Sequence, residues 1–124
     1  MVHQDKTFLE GCLEEIKAML GEQGMAVNEK KTVIRKLSDP ILFLGFVYRL
    51  TKTGKVIVFA DPKKIKHERK KITRMVALVK AGKLTKREVD AHFRAYKAGV
   101  RYGNSHNLIY RLNRWYESLW EEDR

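Results

Sequence analysis

The sequence has one cysteine, two prolines and no run of 18 apolar residues. A lone cysteine, Cys12, cannot close an internal disulfide, so nothing staples the chain and a reducing compartment suits it. Without a long apolar run there is no case for a helical membrane span, nor does an apolar leader open the chain. The expectation is a cytoplasmic, intracellular protein with no membrane partner. Patterns that carry chemistry are also missing. His3, His67, His92 and His106 show no HxxxH or CxxC spacing, whereas zinc takes about four ligands, usually offered as close pairs. No metal site is expected. The glycines at 21, 24, 45, 54, 82, 99 and 103 are scattered and form no phosphate-cradling loop, and nothing resembles a nucleophile elbow. No self-contained active site is legible.

What the sequence does have is charge. Across 124 residues the net charge is +11, with 44% hydrophobic residues, enough apolar area for a folded chain and room for about one compact domain. The sign is unevenly spread. Residues 1–30 hold six acids against three lysines, residues 31–115 hold 22 lysines and arginines against five acids, and the tail turns acidic again. A field of this kind attracts phosphates, so a polyanionic partner is expected.

Helical periodicity begins after Asp5. Phe8, Leu9, Cys12, Leu13, Ile16, Met19 and Leu20 make one stripe, with Asp5 as N-cap and Gly24 as stop, which predicts a helix over 6–23 with Cys12 buried in its stripe. Residues 25–60 are β-branched and aromatic instead. Thr32–Ile34, Ile41–Leu50 and Val56–Phe59 read as strands, with a turn at Ser38-Asp39-Pro40 and a hairpin loop at Thr51-Lys52-Thr53-Gly54. Met1–His3 has the pattern of the end of a strand. Asp61-Pro62 then opens a helix running to about Lys80, Thr85 to Glu88 is a capping box for a helix over 86–101, and Asn104 or Ser105 caps a third. The predicted fold is α+β: an amphipathic helix packed on a small antiparallel sheet, followed by a basic three-helix bundle.

Two basic patches stand out. Lys63, Lys64, Lys66, Arg69, Lys70, Lys71 and Arg74 fall within twelve positions that contain a single acid, Glu68; a solvated face of that density without neutralising partners points to a phosphate backbone. Arg94, Tyr96, Lys97, Arg101, Tyr102, Gly103, Asn104 and Ser105 interleave cations with aromatics, although Tyr96 also fits a core position. Phe43-Leu44-Gly45-Phe46 reads as a strand whose glycine marks a bend or the close approach of another backbone.

Taken in order, the helix ending at Gly24, then Asn28-Glu29-Lys30-Lys31-Thr32, then Phe43-Leu44-Gly45-Phe46, resembles the palm end of bacterial reverse transcriptases, the group with group II intron, retron and diversity-generating members. The basic helices with Tyr102-Gly103-Asn104-Ser105 resemble the thumb that follows. The resemblance covers about residues 2–120 and implies a palm end over 1–60 and a thumb over 61–124. It implies that Lys31 lies near the phosphates of an incoming nucleotide, that Phe43, Leu44, Gly45 and Phe46 form the primer grip, and that the thumb tracks an RNA–DNA hybrid.

The aspartates of the family's Tyr-x-Asp-Asp motif are not in this sequence, so no cofactor is expected on this chain alone and Mg2+ belongs only to a complete polymerase. The resemblance therefore implies the C-terminal portion of an RNA-directed DNA polymerase, inactive by itself, whose partners are an RNA template with primer and the remainder of the enzyme. Two other expectations stand beside it: a stand-alone basic RNA- or DNA-binding regulator, and a homo-oligomer formed through an exposed palm face.

Overall fold

A computed structural model describes residues 1–121, with four helices and one three-stranded antiparallel sheet, the expected α+β class. The chain divides into two compact units, Met1–Lys36 and Leu37–Arg124. The division expected at 60/61 falls inside the second unit, where a strand runs straight into a helix through Asp61.

The first unit is built on helix α1, Lys6–Glu22. Asp5 caps it as expected: its carboxylate accepts the Thr7 and Phe8 amides. Gly24, at φ +71°, ends it, with Met25 N–H donating to Leu20 C=O and Gly24 N–H to Gly21 C=O, the paired bonds of a Schellman stop. No α1 residue is fully buried, and Cys12, expected inside, is half-buried. Thr32–Ile34 and Met1–His3 form no strand. β-Branched residues supply propensity only, and no neighbouring strand pairs with them.

The second unit opens with strands β1 (Ile41–Phe43), β2 (Phe46–Leu50) and β3 (Val56–Ala60), in spatial order β1-β2-β3. The expected single run over 41–50 is therefore two strands, folded back at Leu44-Gly45 so that Phe43 faces Phe46. The expected loop after Leu50 is closed by Thr51 N–H to Lys55 C=O, with Gly54 at φ +81°. Three helices follow: α2 (Pro62–Lys80), α3 (Lys86–Val100) and α4 (His106–Glu121). Their starts obey the sequence. Asp61 accepts the Lys63 amide with Pro62 in the first turn, and the Thr85/Glu88 capping box is complete.

The core of this unit lies between the helices and one face of the sheet. Ile72 and Val76 of α2, Val89 and Phe93 of α3, and Leu112 and Tyr116 of α4 are buried together with Ala60 of β3, and Phe46 packs against them. Ile72 and Val89 are wholly enclosed; burial of such a side chain is worth about 1.5–3 kcal/mol. Phe93 and Tyr116 stack at 4.1 Å between ring centroids, joining α3 to α4.

Candidate nucleic-acid interface

The basic run on α2 sits opposite its buried stripe because Ile72, Val76 and their partly buried neighbours Ile65, Met75 and Val79 recur at helical spacing and fix which side faces in. The seven cations then separate into two groups. Arg69 lies over the Trp115 ring, 4.6 Å from its centroid, and ties α2 to α4. Lys64 lays its side chain against Gly45, where an added Cβ would meet its Nζ at 2.9 Å. The close approach expected at this glycine is thus made by a lysine. Lys63, Lys66, Lys70, Lys71 and Arg74 remain exposed and make no ion pair among the described residues. The one acid of the run, Glu68, turns inward to a short bond with His92 of α3, so it neutralises none of the outward cations. Five like charges without an ion-pair partner among the described residues thus repel one another along a helix stretch about 16 Å long.

The hairpin tip is the second feature. Leu44 has φ +49° and Gly45 φ +84°. Positive φ at both central residues is the geometry of a two-residue type I′ turn, which asparagine or aspartate before glycine adopts without strain. Leucine there is strained, since the left-handed region costs a side chain about 1–2 kcal/mol. Leu44 is nevertheless 79% exposed, beside Leu42 at 61% and Phe43 at 59%. Gly45 C=O accepts the Asp61 amide, which anchors the tip to the start of α2. The expected grip residues thus divide. Phe43 and Leu44 project outward, while Phe46 turns in against the Tyr102 ring at 5.1 Å.

The second basic patch is dispersed. Arg94 and Lys97 line a groove of about 280 Å3 between α3 and α4, together with Asp90, Phe93, Asn113, Tyr116 and Glu117. Lys97 donates to Asn113 Oδ1 at 2.9 Å and lies over the Phe93 ring. Opposite them, the Tyr116 hydroxyl donates to Asp90 Oδ1 at 2.5 Å, and Lys86 pairs with the same carboxylate at 3.1 Å. Partial burial pushes the Asp90 carboxyl up, but the Tyr116 and Lys86 bonds outweigh it and hold its pKa below the usual value. Burial, and after it the Asp90 bond, raises the Tyr116 phenol far above the ordinary tyrosine range.

Arg101 is exposed at the end of α3. The neighbouring Tyr102 hydroxyl raises the Tyr48 phenol above the usual tyrosine range. Asn104 is held by the edge of β3, its N–H donating to Val58 C=O at 2.8 Å and its Oδ1 accepting Val58 N–H at 3.1 Å. Ser105 is buried just before α4. Asn104 thus fastens the loop to the sheet, and the Ser105 C=O accepts the Ile109 amide of α4. Lys31 lies in the first unit, exposed on a turn in which its N–H donates to Asn28 C=O.

Two relationships were not legible in the sequence. The Glu68–His92 bond and the Asp90–Tyr116 bond span 24 and 26 residues. The exposed face of α4, with Tyr110, Arg111 and Arg114, does carry a signal, since those positions fall opposite the apolar stripe of that helix.

Among the described residues no three His, Cys, Asp or Glu side chains converge as a metal-holding group. None of the described helices is long and apolar enough to cross a membrane. Compared with known protein families, curated proteins and solved structures, the chain matches none.

Proposed function

We propose that this chain grips a nucleic-acid duplex by its backbone, as its resemblance to the palm end and thumb of bacterial reverse transcriptases implies, with an RNA template and its primer as the ligand. The observation that carries the reading is the outward face of α2, where Lys63, Lys66, Lys70, Lys71 and Arg74 stand exposed without an ion-pair partner among the described residues. Lysine-rich faces bind phosphates as point charges and do not read sequence. The exposed Phe43-Leu44 tip, anchored at Asp61 next to the start of that helix, is the element proposed to contact the primer, and Lys31 the one proposed on the nucleotide side. In this reading the chain works inside the cell with the remainder of a polymerase, which supplies the metal-binding aspartates, and it incorporates no nucleotide alone.

The test is fluorescence anisotropy with a labelled RNA–DNA hybrid over a salt series, beside a primer-extension assay. The expected result is ~micromolar or weaker affinity that falls steeply with salt, and no extension. Salt-independent binding, or no binding at low salt, contradicts the reading. The alternative of a free-standing regulator draws on the compactness of the second unit, Leu37–Arg124, which holds the sheet and all three basic helices. It predicts equal binding to hybrid, duplex RNA and duplex DNA.

A further inference from the structure

The outward face of α4 carries a different chemistry from that of α2. Asn107, Tyr110, Arg111 and Arg114 recur at helical spacing opposite the side that buries Leu112 and Tyr116, and all four are exposed. Tyr110 is 59% exposed and is not among the side chains packed on the core. The Arg114 guanidinium, one turn further on, lies 6.0 Å from the Tyr110 ring centroid. Neither Arg111 nor Arg114 forms an ion pair among the described residues. On α2 the outward cations are mostly lysines, flexible point charges suited to phosphates. A phenol ring flanked by planar guanidiniums suits a flat partner: a base stacks on the ring, and the guanidinium fork takes a phosphate or a guanine edge.

Geometry narrows the ligand further. Bases of an intact duplex are stacked inside it and present no face to a ring standing on a helix surface, whereas unpaired bases do. The positions of Tyr110 and Arg114 are separated by about 6 Å along the helix axis, wider than the ~3.4 Å rise of stacked bases. The face therefore matches splayed nucleotides better than a continuous stack. We infer that the Tyr110–Arg111–Arg114 face of α4 holds unpaired nucleotides adjoining the duplex that α2 holds by its backbone. The inference rests on the proposed function only for the class of partner; the site itself is separate.

The experiment uses the whole chain and three labelled probes: a blunt RNA–DNA hybrid, the same hybrid with a short single-stranded RNA overhang, and single-stranded RNA. The overhang hybrid should bind about tenfold tighter than the blunt one. Tyr110→Leu should abolish that advantage and leave blunt-hybrid binding unchanged, with circular dichroism confirming the fold. Tyr110→Phe, which keeps the ring, should retain the advantage. An overhang advantage that survives Tyr110→Leu, or an equal loss on blunt and overhang probes, overturns the inference. If single-stranded RNA binds in a Tyr110-dependent way while blunt hybrid does not bind at all, the α4 face still holds unpaired nucleotides, and the duplex-gripping reading falls together with the placement of that face beside a duplex.

Discussion

Asn104 pairs with both backbone groups of Val58, accepting its N–H with the side-chain oxygen and donating its own N–H to its carbonyl. A single residue of the α3–α4 loop thus acts as a short added strand on the free edge of β3, satisfying groups that would otherwise invite pairing with another chain. Gly103 makes this possible. At φ +84°, an added Cβ would stand 2.7 Å from Val58 O and 2.9 Å from the Val58 side chain.

Gly103→Ala should therefore destabilise the second unit by more than about 1 kcal/mol, because it combines left-handed strain with a backbone clash. Asn104→Ala, which orphans the Val58 amide, should cost about 1 kcal/mol. Urea denaturation midpoints of the two variants check both values.

Leu44 offers the opposite sign. Leu44→Asn supplies the residue that a type I′ turn favours, and should stabilise the chain by about 1 kcal/mol. It also removes the most exposed apolar side chain of the hairpin tip, so hybrid affinity should fall while thermal stability rises. A variant that gains stability and keeps its affinity would remove Leu44 from the grip.

Much of the fold was legible because its signals are local. Asp5, Asp61-Pro62 and the Thr85/Glu88 box start helices by bonding amides two or three residues away, and Gly24 and Gly82 end them at positive φ. The β1–β2 turn was not legible, because a leucine in the left-handed region contradicts the local preference that turn recognition relies on. Thr32–Ile34 misled for the converse reason: strand-forming residues need a partner strand. At the candidate site the density of cations on α2 could be read from spacing alone. Their division into packed and free members could not, since Arg69 and Lys64 are held by Trp115 and Gly45, far off in sequence.

The Asp90–Tyr116 bond gives stability a pH dependence. The folded-state pKa of Asp90 is depressed, so its contribution is complete above the unfolded aspartate value and is lost as pH falls through the lower folded value. Tyr116→Phe keeps the ring stacked on Phe93 and removes the donor. It should cost about 1–2 kcal/mol at neutral pH, and the gap to the unmodified chain should narrow as Asp90 protonates. Parallel denaturation curves at neutral and strongly acidic pH measure that gap; a gap independent of pH would show that the bond carries little.

The central claim, that the outer face of α2 holds phosphates, is tested most directly by the salt dependence of hybrid binding for Lys66→Gln/Lys70→Gln/Arg74→Gln beside the unmodified chain. These side chains are exposed and lack ion-pair partners among the described residues, so the fold should survive their loss. The account predicts that the slope of log affinity against log salt becomes shallower by about two to three, with weaker binding at every salt concentration. An unchanged slope would contradict it.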